Sequence, residues 1–271
     1  MNPSRRFTSA IGKFSDLTPS EYKRLYLNAK FTPANSASNG EHQRNHPHGG
    51  KRRLQESMSI NWVDEGVVTP IRDQGWCGSC WAFSASAVIE SNLLMYSDKE
   101  YSVNTLHLSE QQQVDCVTQS YGCDGGWSET SFEYAKQVGI TRGSTYPYTG
   151  RNGNCGRNGG EYKISNYVHQ NMTCEQLKEE LQYGPINVAV NADDWDRIGD
   201  SIFPYQSASW NQLNHAVSLV GFQEAEGGNP AYWIIKNSWG IEWGDEGYGK
   251  LEYGPDGNSF GICLDTPFPI I

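Results

Sequence analysis

Gln74-Gly75-Trp76-Cys77-Gly78-Ser79-Cys80-Trp81-Ala82-Phe83 is the stretch whose reading decides the fold of this 271-residue chain. It sets a thiol at a helix start, with an amide side chain six residues before it. The residues after Cys80, WAFSASAVIESNLLMY, lack Gly and Pro and carry apolar positions at Trp81, Ala82, Ala85, Val88 and Leu93, as a buried helix does. Ser79 is the expected N-cap. Cys80 then sits where free amides and the helix dipole stabilise a thiolate, which lowers a cysteine pKa. Cys77 and Cys80 alone are ambiguous, since C-x-x-C also occurs in redox pairs, half zinc sites and unrelated disulfides.

A thiolate nucleophile needs a proton acceptor and a group to orient that acceptor. LNHAVSLVGF carries His215 and YWIIKNSWG carries Asn237, 135 and 157 residues beyond Cys80, so only folding brings the three together. Cys, His and Asn in this order, at spacings of roughly 130 to 150 residues, is the arrangement of papain.

Five blocks, QGWCGSCWAF, LSEQQQVDC, YGCDGGW, LNHAVSLVGF and YWIIKNSWGIEWGDEGYG, resemble the papain and cathepsin L family of cysteine peptidases, over about Ile60 to Ile271. The resemblance implies that Cys80 is the nucleophile, His215 the proton acceptor, Asn237 the residue that orients the imidazole, and Gln74 the side-chain oxyanion donor. It implies a Cys80–His215 thiolate–imidazolium pair formed before substrate arrives, then a thioester acyl-enzyme. Trp239 is expected to shield the His215–Asn237 hydrogen bond, and Trp243 to line the leaving-group side of the cleft. Gly125 and Gly126 match the backbone strip that pairs with an extended peptide. Trp127, Ser128, Ala189, Leu213 and Asn214 are expected to line the P2 pocket, suited to Leu or Phe. Its floor is open between Asp265, which tolerates Arg at P2, and Thr266, which does not. Nothing between Gly126 and Cys155 matches the cathepsin B-like insertion, so an endopeptidase is expected.

Taken alone, each residue has a blander reading: a structural cysteine, a core histidine, a turn asparagine. A disulfide oxidoreductase built on Cys77 and Cys80 explains neither His215 nor Asn237. A zinc site needs a second close pair, yet Cys116 and Cys123 are seven apart with no nearby His, so no metal and no cofactor is expected. A catalytically silent homologue acting as a binding protein, or a misassembled fragment lacking a complete propeptide, is the remaining alternative. Silent members usually lose the nucleophile or its His, and both are present.

Seven cysteines fit one free thiol and three bridges, the usage of an exported protein. The family pattern implies Cys77–Cys123 and Cys116–Cys155, which leaves Cys174–Cys263. The family usually draws the partner of Cys263 from between Asn191 and Asn214, where this chain has no cysteine. Asn171-Met172-Thr173 is the only N-glycosylation sequon. With a net charge of −10 and no long apolar run, neither a nucleic acid nor a membrane is an expected partner. The expected form is a monomer acting on proteins and peptides, lysosomal, vacuolar or extracellular, with the signal peptide missing from this chain.

Composition divides the chain into residues 1–57, a partial propeptide and linker, and residues 58–271, the peptidase domain, with a mainly helical half to about 164 and a mainly β half from about 165. TPANSASNGEHQRNHPHGGKRRLQES, from Thr32, is polar and aperiodic and reads as a linker. His42, His46 and His48 lie in it, and Lys51 to Arg53 is a candidate processing site. IGKFSDLTPSEYKRLYL resembles the end of the family's inhibitory propeptide. It keeps Phe14 and Asp16 of an NxFxD-type motif, has Gly12 in place of Asn, and lacks the long N-terminal helices. No signal peptide follows Met1, which suggests an incomplete N-terminus. Residues 1–58 carry a net +6 and the rest −16. A basic segment thus faces an acidic domain, and its release is expected to be faster near pH 4 to 5 than at pH 7.

Helical patterns dominate from Cys80 to Gly139. Strand patterns follow in INVAV, AVSLVGF, YWIIKN and GYGKLEY. The expected class is α+β, a papain-like two-domain fold with a helical half, a β-barrel-like half and the active site in the cleft between them.

Overall fold

The computed structural model describes residues 13–31 and 59–271. Gly12, the three linker histidines and Lys51–Arg53 lie outside the described residues.

The long helix after Cys80 forms as expected: α2, Cys80–Tyr96, is buried along residues 80–93. A helix that is apolar or small-sided all round belongs inside a molecule, and α2 lies between two cores. On one side Trp81, Ala85 and Ile89 pack with Cys116 of α3, Glu110–Cys116, with Phe132 of α4, Ser128–Gln137, and with Leu108 and Ile140 on the loops beside these helices. On the other side Leu177, Val188, Val217, Leu219, Phe222, Trp233 and Leu251 form the core of the sheet half.

That sheet runs β1 (Ile60–Asn61), β5 (His215–Gln223), β6 (Tyr232–Lys236), β7 (Tyr248–Glu252) and β4 (Ile202–Phe203), while β3 (Ile186–Val190) pairs with the first half of β5. β4 and β7 are parallel and the other pairs antiparallel. β3 is buried at all five positions, and β5 at all but its last, so both read as continuous apolar runs without alternation. A separate ribbon joins β2 (Asn166–Val168) to β8 (Phe268–Ile270).

Two helices depart from the expected pattern of elements. Helix α5, Cys174–Leu181, interrupts the strand-rich half. Its signal is a capping box, Thr173-Cys174-Glu175-Gln176, in which the Thr173 hydroxyl accepts from the Gln176 backbone N–H and the Gln176 side-chain Oε1 accepts from the Thr173 backbone N–H. Helix α1, Pro19–Tyr26, opens on the same device, Thr18 with Glu21, and has Pro at its first turn.

Bridges close Cys77–Cys123, Cys116–Cys155 and Cys174–Cys263, leaving Cys80 as the free cysteine among the described residues. A buried ionic cluster ties the halves together. Arg72 Nη1 donates to Glu90 of α2 and Glu110 of α3, both at 2.8 Å. Lys236, at the end of β6, donates to the Thr69 carbonyl at 2.7 Å, and the Thr69 hydroxyl donates to Glu90 at 2.5 Å. Burial lowers the Lys236 pKa to about 7, with Glu90 acting against it. Burial also opposes ionisation of Glu110, but Arg72 and His107 outweigh it and hold the carboxyl below its ordinary value.

Candidate active site

Cys80 is the first residue of α2 and His215 the first of β5, and Asn237 directly follows β6. The β5–β6 pairing sets Ser218 opposite Lys236, so His215 and Asn237 emerge at the same end of neighbouring strands. His215 Nε2 lies 2.8 Å from Asn237 Oδ1, which also accepts from the Ser238 N–H at 2.8 Å. The second bond fixes which atom of the carboxamide is oxygen. Oδ1 is an acceptor, so Nε2 carries the hydrogen, and Nδ1 of the neutral ring is left bare to accept a proton. Among the described residues Nδ1 has no partner. The Trp239 ring, fully buried, lies 4.5 Å from the imidazole, centroid to centroid, and covers the bond to Asn237.

Ser79 occupies the N-cap position of α2, but its side chain does not cap the helix. Its hydroxyl instead meets the Tyr148 hydroxyl at 2.7 Å. First-turn amides that a cap would occupy therefore face the Cys80 sulfur, together with the N–H groups of Ala216 and Ala29. Gln74 is buried and held at both ends: Nε2 donates to the Cys77 carbonyl at 3.0 Å, and Oε1 accepts from the Ser238 hydroxyl at 2.6 Å. That leaves one N–H of its carboxamide for another acceptor.

Residues 28–31 lie across this site, which the sequence reading did not specify. The Ala29 N–H donates to the Asn214 carbonyl at 3.2 Å, the Lys30 N–H donates to the Gly126 carbonyl at 2.8 Å, and Ala29 packs against Cys80 and Ala216. Gly125 explains how a backbone comes so near: its φ is +106°, and a Cβ there would lie 1.8 Å from the Asn28 carbonyl oxygen. Upstream, Phe14, Tyr22 and Tyr26 each place a ring 5.2 to 5.8 Å from Trp239. The Tyr22 hydroxyl donates to the Ala192 carbonyl at 2.8 Å. The sequence points to this occupancy through the resemblance of IGKFSDLTPSEYKRLYL to an inhibitory propeptide and through the contrast of a basic segment and an acidic domain, and neither names the contacts of Ala29 and Lys30.

With the cleft covered, the electrostatics run against the expectation of a lowered thiol pKa. Burial pushes the Cys80 thiol up to about 11, and the surrounding N–H groups offset this only in part. Burial takes His215 down to about 4, against the support of Asn237. Both groups are therefore driven to their neutral forms in this state, because desolvation of two charges outweighs the helix dipole.

Of the other expected site residues, Gly126 and Asn214 meet the covering segment through their carbonyls. Gly126, Ser128, Ala189 and Leu213 are buried. Trp127 is half-buried, and Asn214 donates through Nδ2 to Asp193 at 2.8 Å. Trp243 is buried, with Nε1 donating to the Trp195 carbonyl at 2.8 Å. The Asp265 carbonyl accepts from the Ala189 N–H at 2.9 Å, while its buried carboxylate meets His169 Nε2 at 2.6 Å. Burial and the nearby Asp265 raise the Glu129 pKa to about 7.

A buried thiol at a helix start, a histidine with one bare nitrogen and the other bonded to an asparagine, and a glutamine held at both ends are the groups that a thiol hydrolase site requires. Residues 57–268 match the family model described as papain family cysteine protease. The chain is 34% identical to a cathepsin L-like proteinase of Phaedon cochleariae, covering 100% of this chain and 81% of that protein. It is 35% identical to the senescence-specific cysteine protease of Arabidopsis thaliana, over 92% of this chain and 71% of that protein. Among solved structures, digestive procathepsin L2 proteinase from Tenebrio molitor larval midgut superposes with a TM-score of 0.83 at 33% identity, covering 98% of this chain and 84% of the other. The chain belongs to the papain family of cysteine proteases, has the papain-like two-domain fold and is a cysteine-type endopeptidase.

Proposed function

We propose that the chain is a latent cathepsin L-like endopeptidase whose residues 13–31 occupy its own substrate cleft. The observation that carries this reading is the seating of Ala29 and Lys30 on the Asn214 and Gly126 carbonyls, against Cys80. Residues 1–57 are the prosegment and linker and residues 58–271 the peptidase domain, halved near residue 164.

Departure of the segment returns water to Cys80 and His215 and removes the burial that holds them neutral, so the proton passes from Sγ to Nδ1 and the thiolate–imidazolium pair forms. The thiolate then attacks the scissile carbonyl. The Cys80 N–H and the free N–H of Gln74 hold the oxyanion, and loss of one such donor costs about 2.7 to 4 kcal/mol. His215 returns its proton to the leaving amine, and water hydrolyses the thioester. Asn237 accepts from Nε2–H throughout and keeps the ring aimed at the sulfur. Gly125 and Gly126 pair with the substrate backbone, and Trp127, Ser128, Ala189, Leu213 and Asn214 form the P2 pocket. The Asp265 carboxylate is engaged by His169, which supports an apolar residue at P2 over Arg. Trp243 stands on the leaving-group side.

Three bridges and the family's usual setting support a lysosomal, vacuolar or extracellular monomer acting on proteins and peptides. The test is labelling by a peptidyl epoxide at pH 5.5, before and after acid treatment, read by intact mass with Cys80→Ala as control. Stoichiometric labelling that needs both Cys80 and acid treatment is expected. Full labelling of the intact chain would remove the latency, and none in folded, acid-treated protein would remove the catalytic assignment.

A further inference from the structure

Lys13 places its ammonium on the Asp73 carboxylate and, at 2.9 Å, on the backbone carbonyl of Trp239. Both acceptors belong to the peptidase domain, on loops that build the catalytic centre. Asp73 directly precedes Gln74, Trp239 covers His215, and the two residues face each other as an antiparallel bridge. The loop fixes one carboxylate oxygen, since Asp73 Oδ1 accepts from the Gly75 N–H at 2.9 Å, and Oδ2 receives the ammonium. The Lys13 side chain is only 18% exposed there. Trp76 and Ile241 follow on the same two loops and are 74% and 68% exposed.

The path of the covering segment locates this arrangement relative to the thiol. Lys30 lies on Gly126 and Ala29 lies at Cys80. Followed back toward its start, the segment then carries Tyr26, Tyr22 and Phe14 across Trp239 before Lys13 reaches Asp73. Asp73 is therefore on the opposite side of Cys80 from the Gly126 strip. That strip pairs with the acyl part of a substrate, which puts Asp73 beside the leaving-group part.

We propose that the Asp73 carboxylate and the Trp239 carbonyl form a leaving-group subsite that takes a lysine or arginine side chain of a peptide substrate, and that Lys13 holds this subsite until the segment departs. The proposal rests on the catalytic assignment and cleft direction given above. A lysine or arginine brings donors to two acceptors, whereas an acidic side chain meets a carboxylate and a carbonyl, neither of which donates. The chain's own lysine is the stand-in that shows a cation fits.

The experiment uses the acid-processed enzyme, its active sites first counted by epoxide labelling. Quenched-fluorescence peptides share one acyl half and carry Lys, Arg, Gln, Leu or Glu at successive leaving-group positions. At one of those positions kcat/KM is expected to be about 3- to 10-fold higher for Lys or Arg than for Gln, and lowest for Glu, the gap narrowing in 0.5 M salt. Asp73→Asn keeps the shape and the acceptor for Gly75, and is expected to bring the Lys-to-Gln and Arg-to-Gln ratios of kcat/KM to about 1, a ratio that cancels any change in the rate common to all the peptides. Equal rates for Lys and Gln in labelled wild-type enzyme, or a preference that survives Asp73→Asn, would overturn the subsite and leave the catalytic assignment standing. Absence of labelling would bring down both.

Discussion

The covering segment, residues 13–31, is held by rings set edge-to-face against Trp239, by backbone bonds to Asn214 and Gly126, and by the ion pairs Lys13–Asp73 and Lys23–Asp193. The domain beneath it is closed by three disulfides and by Arg72 buried between Glu90 and Glu110. Aromatic contacts and exposed ion pairs form and dissolve locally, while cross-links and buried charges fail only when the domain opens. The segment is thus built to leave a domain that stays folded, and each change below tests whether the two respond separately.

The largest stability effect is expected in the domain. Arg72→Met leaves Glu90 and Glu110 buried without their cation, which costs about 3–5 kcal/mol. At about 2–4 °C per kcal/mol for a domain of this size, thermal unfolding monitored by near-ultraviolet circular dichroism should fall by roughly 6–20 °C. A variant that melts with the parent would mean that the cluster does not hold the two halves together.

Phe14→Ala acts on the segment instead. Phe14 is 3% exposed and contacts Tyr22, Tyr26 and Trp239, so its truncation costs about 3 kcal/mol of docking and raises the open population roughly 100-fold. Residual peptidase activity of the intact chain at pH 7 should rise accordingly, with the main melting transition unchanged. A lowered melting temperature without added activity would show the segment to be part of the folded core.

The same division explains what was legible in the sequence. QGWCGSCWAF, LNHAVSLVGF and YWIIKNSWG each carry a chemical residue inside a strong local pattern, and the structure places those residues on a helix start, a strand start and a strand end. Helix α5 was missed because its eight residues are short and largely charged, and only the Thr173–Gln176 box marks it. The contacts of Ala29 and Lys30 were not legible at all. They are made through backbone groups, and their partners, Asn214 and Gly126, lie far along the chain. The thiol pKa of the covered state is not legible for a related reason: the helix dipole can be read from local sequence, but burial by a distant segment cannot.

Acidification tests the same division without mutation. While the site is covered, burial lowers the His215 pKa to about 4 and raises that of Cys80 to about 11, so the pair holds one proton, on Sγ. Uncovered, the pair again holds one proton, moved to Nδ1, and opening therefore takes up no net proton there between pH 7 and about 4.5. Acid release then falls to the attraction between the basic segment and the acidic domain, which salt screens. Stopped-flow labelling of Cys80 after a jump from about pH 7 to 4.5 should speed up at low salt and lose most of that gain in about 0.5 M salt. A gain that survives the added salt would mean that the catalytic pair itself takes up a proton on opening.

The smallest effect separates the two kinds of contact that hold the segment. Lys23 and Asp193 are 50% and 38% exposed, and an ion pair open to water to that extent contributes about 0–1 kcal/mol. Lys23→Gln should therefore raise the activity of the intact chain at pH 7 by less than about fivefold, against roughly 100-fold for Phe14→Ala, and the effect should vanish in 0.5 M salt. An increase comparable with that of Phe14→Ala would move the main hold on the segment from the rings over Trp239 to charge. It would also make charge attraction, which acid weakens, the main barrier to release.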